Sequence, residues 1–309
     1  MTTDPATAPA TGPARSPAEI DTFAALRPRL FSIAYRMLGT RADAEDIVQD
    51  AWLRWQHDTD RTAVRSAEAW LVTVVTRLSI DRLRAAKAER EAYVGWWLPE
   101  PLVEASDEHT PEAAAELASD LSIALLWVLE RLSAEERAAF LLRQAFDHGY
   151  DEIAALLGKT EAACRQMVHR ASERVQQTRA RFDVPREAHR RVVEKFIVAA
   201  RSGERDAIQA LLADDAELVG DGGGKVPAVL KVLHGAYRIA NLFWVTGRRN
   251  GPALVYRHAL INGEPGFLRY LDGKLESAMA LATDGERIVG IYAIRNPDKL
   301  TGVPQRLTQ

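Results

Sequence analysis

The sequence of 309 residues holds one cysteine, Cys164. A single thiol excludes an internal disulfide and any cysteine-based zinc cluster. No run approaches the 18 apolar residues of a membrane-spanning helix. The opening MTTDPATAPATGPARSPAEI has no apolar segment of the kind a secretory signal needs. Its Pro, Ala and Thr content predicts a disordered tail over residues 1–18. These absences make the cytoplasm the expected compartment, with no membrane partner. A surplus of one charge is missing too: 40 basic and 43 acidic side chains leave a net charge of −3. Any signal for nucleic acid must therefore be local. Glycine is scarce at first, with five residues in 1–185 and fourteen in the 124 that follow. Glycine is costly inside helices and useful in hairpin turns, so a helical part should precede a sheet-containing part.

What is present is ordinary for a folded protein, with 47% hydrophobic residues. Two or three domains fit the length. Gly95 to Asp120 carries seven acidic residues, no Lys or Arg, and Pro99, Pro101 and Pro111. It reads as a linker, with helix resuming near Pro111. The expected layout is a helical domain over 19–92, the acidic linker 93–118, a smaller helical domain over 119–182, an α+β domain over 186–300 and a tail over 301–309.

The first domain carries two helical signatures. In DAEDIVQDAWLRW (43–55), Ala44, Ile47, Val48, Ala51, Trp52 and Trp55 form one apolar stripe. Asp43, Asp46 and Asp50 share the opposite face. Solvation is the plain reading of such a face, and nothing nearby completes a metal site. Residues 69–90 predict a second long helix, with Leu71, Val74, Val75 and Leu78 inward and Arg77, Asp81, Arg84 and Lys87 outward. Five basic and two acidic residues between 77 and 90 give a local charge of +3. A basic helix beside an acidic one would suit phosphates on one side and a protein on the other.

The second domain is sharper. Ser133 with Glu136 makes a capping box. A helix around 151–157 ends at Gly158, and Thr160 caps another from Glu161 to about Arg181. Two helices joined by a short glycine-containing turn read as a helix-turn-helix, or as a plain αα-hairpin. Cys164, Val168, Ala171 and Val175 should face inward, which makes Cys164 a small core residue. Arg165, Gln166, His169 and Arg170 face out, and Arg and Gln suit guanine and adenine edges in a major groove.

The order of YRMLGTRADAEDIVQDAWLRW (35–55), AWLVTVVTRLSIDRLR (69–84) and the 129–175 helix-turn-helix resembles extracytoplasmic-function sigma factors, the promoter-recognition subunits of bacterial RNA polymerase. The resemblance implies a non-enzymatic protein without cofactor or metal whose partners are the polymerase core and promoter DNA. It implies that Asp43, Glu45, Asp46, Gln49 and Asp50 dock on the β′ clamp helices. The loop 57–67 and the helix with Arg77, Arg82, Arg84 and Lys87 would capture the melted −10 element. The second helical domain would meet the β flap and read the −35 element through Arg165, Gln166, His169, Arg170 and Arg174. Many relatives carry Asn where Arg77 stands, so the −10 preference does not carry over.

The last domain resembles a SnoaL-like, nuclear-transport-factor-2-type α+β cone. Its expected parts are a helix over 186–202, a strand over 216–219, a helical segment near 226–233 and strands near 242–248 and 253–261. Two hairpin turns should lie at Asp272-Gly273 and Asp284-Gly285. In 254–261, Leu254, Tyr256, His258 and Leu260 alternate with Val255, Arg257, Ala259 and Ile261, as two sheet faces require. Three motifs match one subgroup of these sigma factors with such a fused domain: Trp97, Leu98, Pro99, Glu100 and Pro101; Asp221, Gly222, Gly223, Gly224 and Lys225; Asn296, Pro297, Asp298, Lys299 and Leu300. There they imply regulatory contacts. The linker's Trp96, Trp97 and Leu98 would offer an exposed contact surface, and Lys225 would meet an acidic partner such as the linker. The DGGGK run lacks the spacing of a phosphate loop. Asp221, His234, Tyr237, His258 and Tyr270 could supply acid–base groups, and such cones often hold a small-molecule ligand, here of unknown kind. Two other readings stand beside the sigma factor: a ligand-binding regulator that does not dock on polymerase, and a SnoaL-like enzyme carried by the helical part.

Overall fold

The structure, a computed structural model, describes residues 17–57, 66–104, 122–179 and 184–306. The expected tail up to residue 16, the interior of the 57–67 loop and the helix start near Pro111 lie outside them.

Helices α1 (Pro17–Leu38), α2 (Arg41–His57) and α3 (Ala67–Ala85) form the first domain. The stripe expected in α2 is the buried one: Ala44, Ile47, Val48, Ala51 and Trp55 face inward, and Trp52 rests half-buried on Phe23. Ser66 caps α3, its hydroxyl accepting from the Ala69 amide. The long helix expected over 69–90 breaks at Ala86, and a short α4 (Lys87–Glu91) follows. Leu71 and Val75 are buried as expected, with Val74 and Leu78 half-buried against the same core, and the buried face also takes in Val72, Thr76, Ser79, Ile80 and Leu83.

The second domain is α5 (Ile123–Leu129), α6 (Ala134–Gln144), α7 (Tyr150–Leu157) and α8 (Glu161–Arg179). The Ser133–Glu136 capping box forms at the start of α6. Gly158 ends α7 at φ 64°, a left-handed position that suits glycine. Cys164, Val168, Ala171 and Val175 are buried as the periodicity predicts. The first two domains do not have separate cores. Leu30, Ile33, Val48 and Leu71 belong to the same buried cluster as Ala138, Leu142, Ile153 and Cys164.

The C-terminal domain is an α+β unit. Its helices α9 (Arg186–Ser202), α10 (Arg205–Ala210) and α11 (Ala236–Asn250) accompany a seven-stranded sheet. The strands are β1 (Val103–Glu104), β2 (Leu212–Asp221), β3 (Leu233–His234), β4 (Leu254–Ile261), β5 (Glu264–Leu271), β6 (Lys274–Thr283) and β7 (Ile288–Ile294), ordered β1-β4-β5-β6-β7-β2-β3. Only the β2–β7 pair is parallel. Phe196 of α9 packs edge-on against Phe243 of α11 at 4.9 Å and stacks with Phe267 of β5 at 6.0 Å.

Two expectations fail here. Residues 242–248 are rich in β-formers yet lie within α11. The buried set Ala236, Ile239, Ala240 and Phe243 has helical spacing, and period outweighs propensity. Residues 226–232 are irregular rather than helical. Pro227 interrupts them, and a Cβ on Gly220 would stand 2.8 Å from Val229, so this stretch lies tightly against β2. In β4 the expected alternation also slips: His258 is exposed while Ala259 and Ile261 are buried. The Asp272-Gly273 turn forms with φ 51° and 73°, and Asp284 caps its own turn by accepting from the Glu286 and Arg287 amides.

Candidate nucleic-acid interface and interdomain junction

The outer faces of α2 and α8 carry the residues singled out from the sequence. Asp46, Gln49 and Asp50 are exposed on α2, with Leu53 beside them. Asp43 and Glu45 are half-buried. Asp43 accepts from the Arg82 guanidinium at 2.8 Å, and Glu45 pairs with Arg27. On α8, Arg165, Gln166, His169, Arg170 and Arg174 are all exposed. Arg165 pairs with Glu161 at 2.6 Å and lies over the Tyr150 ring. Arg170 and Arg174 reach Glu136 at 3.8 and 3.6 Å, and His169 lies 3.6 Å from Glu173.

The basic side of α3 faces the helix-turn-helix. Arg77 donates to the Leu156 carbonyl of α7 at 3.4 Å, and Arg84 pairs with Glu135 of α6 at 2.6 Å. Lys159, in the turn before α8, holds the other oxygen of Glu135 at 2.8 Å. These hydrogen bonds, to Lys159 first, keep the Glu135 carboxyl below its usual range. Lys87 lies 3.7 Å from Glu91. Deeper in, Glu130 joins Arg90 and Arg137, and the two guanidiniums donate to the Leu38 and Met37 carbonyls that end α1. Burial, the largest influence on Arg90, lowers its pKa, and Glu130 opposes that.

The three short motifs meet at one buried point. Asp221 ends β2 and is fully buried. One carboxylate oxygen accepts from the Tyr93 hydroxyl at 2.6 Å and the Gly223 amide at 3.1 Å. The other accepts from the Leu98 amide at 2.9 Å and from Lys299 Nζ at 2.7 Å. Lys299 also donates to the Leu98 carbonyl at 2.5 Å and sits 3.4 Å above the Trp97 ring. Burial lowers the Lys299 ammonium to about 8, against the pull of Asp221. Burial pushes the Tyr93 hydroxyl up, and its bond to Asp221 adds to that, so it remains a donor. The glycine run allows the approach: a Cβ on Gly223, at φ 60°, would stand 2.4 Å from Asn296 Nδ2.

This junction corrects one expectation. Leu98 is not an exposed contact but fully buried, and Trp96 and Trp97 are half-buried, Trp96 against Trp127 of α5. Lys225 does have an acidic partner, the surface carboxylate of Asp298 at 2.5 Å. The cation that serves the linker is Lys299. A second contact was missed altogether. Asn262, in the β4–β5 turn at φ 53°, exchanges backbone and side-chain hydrogen bonds with Leu102 and donates to the Tyr35 hydroxyl at 2.8 Å. Tyr35 in turn donates to the Glu100 carbonyl at 2.5 Å, and Glu100 receives the Arg41 amide at 2.8 Å. The signal available was Asn262-Gly263 itself, a strong hairpin dipeptide. Residues 97–104 thus tie α1 to the sheet, ending in β1 alongside β4. Helix α5 does the same for the second domain: Ile123, Ala124 and Trp127 enter the C-terminal core, while Leu126, Val128 and Leu129 enter the helical one.

The candidate acid–base groups do not converge. Asp221 is saturated by its four donors, Tyr270 donates to the Pro304 carbonyl at 3.0 Å, His234 lies 3.3 Å from Glu217, Tyr237 lies under Arg205, and His258 is exposed on β4. No helix among the described residues is long and apolar enough to cross a membrane.

Comparison with known proteins gives a consistent result. Sigma-70 region 2 matches residues 22–89, and Sigma-70 region 4 matches residues 122–175. The chain is 40% identical over 296 residues to the ECF RNA polymerase sigma factor SigJ of Mycobacterium tuberculosis, covering 93% of this chain and 94% of that protein. It is 29% identical over 279 residues to the probable ECF RNA polymerase sigma factor SigI of the same species, covering 89% of this chain and 92% of that one. The crystal structure of the M. tuberculosis extracytoplasmic function sigma factor SigJ aligns with a TM-score of 0.76 at 36% identity, over 93% of this chain and 100% of that one.

Proposed function

Since the chain belongs to the extracytoplasmic-function RNA polymerase sigma factors, with regions 2 and 4 both in place, we propose that it is held in a closed state by its own C-terminal domain until the polymerase core opens it. One observation carries this reading: Arg77 and Arg84, the proposed −10 contacts, are bonded to Leu156 and Glu135 of the region that would read the −35 element. Elements at −10 and −35 are about 25 base pairs apart, roughly 85 Å along a duplex at 3.4 Å per base pair. Two domains in hydrogen-bond contact cannot reach both.

In this proposal Asp46, Gln49 and Asp50 dock on the β′ clamp helices, because their face stays exposed in the closed state. Docking would also draw on Asp43, releasing Arg82. Once apart, Arg77, Arg82, Arg84 and Lys87 hold the melted strand, while Arg165 and Gln166 read base edges and His169, Arg170 and Arg174 steady the helix on phosphates. Region 4 would rest on the β flap. The C-terminal domain acts as a clasp, not as a catalyst. Its fully buried carboxylate, Asp221, is consumed in holding the linker.

Polymerase binding tests the docking face. Asp46→Arg and Asp50→Arg should abolish capture of core polymerase and promoter-specific run-off transcription. Folding should be nearly unchanged, since exposed sites shift stability by about 0.5 kcal/mol or less. Normal capture by both variants would refute the docking assignment.

A further inference from the structure

We propose that the outer face of α11 in the C-terminal domain is an additional binding surface for the backbone of duplex promoter DNA. Helix α11 reads AYRIANLFWVTGRRN and contains no Asp or Glu. Its inward side is the buried set Ala236, Ile239, Ala240 and Phe243. At 100° per residue, Tyr237, Arg238, Asn241, Leu242, Val245, Arg248 and Arg249 fall on a single outward arc of about 140°. Arg238, Arg248 and Arg249 are exposed there, and so are Tyr237, Leu242 and Val245 at 56%, 37% and 47%. A chain with a net charge of −3 thus presents one helix face with three arginines and no carboxylate.

Duplex DNA fits this face for three reasons. The first is charge: three arginines meet no carboxylate on their own helix. The second is spacing. Arg238 and Arg249 lie about 20° apart around the axis and about 16 Å apart along it. Cations so spaced are far enough apart to meet phosphates on both sides of a major groove about 12 Å wide. The third is the adjoining groove of about 820 Å³, between the end of α9, the end of α11 and the start of β4. Arg201, Arg248, Trp244, Gly203, Gly247 and Gly251 line it together with small and apolar residues, and no carboxylate does. Arg248 stacks on Trp244 at 5.2 Å, so its guanidinium is already oriented at the groove rim. The glycines leave backbone open to the close approach of a strand.

This surface depends on the sigma-factor reading only for its choice of DNA, and its test is separate from that of polymerase docking. The full-length chain, bound to core polymerase, is titrated with a fluorescein-labelled promoter duplex at several KCl concentrations. In the triple variant Arg238→Gln, Arg248→Gln, Arg249→Gln, affinity near 100 mM salt should fall tenfold or more. The slope of log affinity against log salt should become shallower by about 2 to 3, at about 0.9 per lost phosphate contact. The loss should be equal on promoters altered at −10 or −35, as for any backbone contact. Arg249→Gln alone should lower the slope by about 1. Unchanged affinity and slope in both variants would overturn the proposal. So would loss of core capture, which would make this a polymerase contact, or loss of self-association in sedimentation, which would make it an interface between copies.

Discussion

Single side chains explain why the clasp closes where it does. Lys299 and Asp221 are both buried, and a buried ion pair holds only if every remaining hydrogen-bonding position is filled. Here Tyr93, Leu98 and Gly223 fill them. Asp221→Ala should therefore cost about 3–5 kcal/mol, as breakage of a buried pair does, because it leaves the Lys299 ammonium without its counter-charge. Lys225→Ala removes only a surface pair and should cost about 1 kcal/mol or less. Chemical denaturation of both variants checks the contrast, and equal losses would contradict it. The motif marked both residues equally in the sequence. Burial alone separates them, and burial depends on partners 70 or more residues away. His189 offers a second test. It is buried, and burial lowers its pKa to about 4 despite a backbone hydrogen bond at Leu281. Unfolded, it titrates near 6.5, so between pH 6.5 and 4 the unfolded chain binds the extra proton and stability falls on acidification. The shift corresponds to about 3 kcal/mol. In melts from pH 7 to 4, His189→Leu should lose less stability than the parent, and parallel curves would show that His189 does not contribute.

Elements were legible in proportion to how local their causes are. The α2 stripe, the Ser133 capping box, the Gly158 turn and the inward face of α8 depend on residues within a few positions, and all stand as read from the sequence. The strand expected at 242–248 failed because Phe243, Trp244, Val245 and Thr246 favour strands locally, while the burial of Phe243 alone is set by Phe196 of α9 packing against it. The buried face of α3 is wider than its apolar residues alone mark, since Thr76 and Ser79 are buried beside Leu71, Val75 and Ile80. The candidate site divided the same way. Residues on the outside of α2 and α8 were found by periodicity, whereas the meeting of 97–101 with 221–225 and 296–300 is a tertiary fact that only the family resemblance suggested. A prediction belongs to α8. Arg165→Ala or Gln166→Ala should relax base preference within the −35 element, costing about 1–3 kcal/mol if the contact is bidentate. Arg174→Ala should weaken all promoters alike. Binding measured on a panel of −35 variants separates them, and a uniform loss for Arg165→Ala would make it a positioning residue.

At the scale of the whole molecule, the proposed closed state rests on two latches. One is the direct seat of region 4 on region 2, where Glu135 is shared by Arg84 and Lys159. The other is the linker held against the C-terminal domain through Asp221 and through the Asn262–Tyr35 bond. A ligand or partner can shift such an equilibrium only by its difference in affinity for the two states. In the proposed mechanism core polymerase supplies that difference by binding regions 2 and 4 at separate places. Weakening either latch should therefore lower the free energy that polymerase must supply. Glu135→Arg removes two surface pairs and places a like charge against Arg84. At about 1–2 kcal/mol, it should raise the open fraction some five- to thirty-fold. Asn262→Ala removes the donor to the Tyr35 hydroxyl and leaves the Leu102 amide without its acceptor, and should act in the same direction through the other latch. Each variant should show a larger radius of gyration in small-angle scattering and higher run-off transcription at limiting core polymerase. Because the two sites share no partners, their effects on the opening free energy should nearly add in the double variant. The difference should vanish at saturating core, where polymerase alone drives opening. Variants that match the parent in both dimensions and activity would mean that the closed arrangement is no brake.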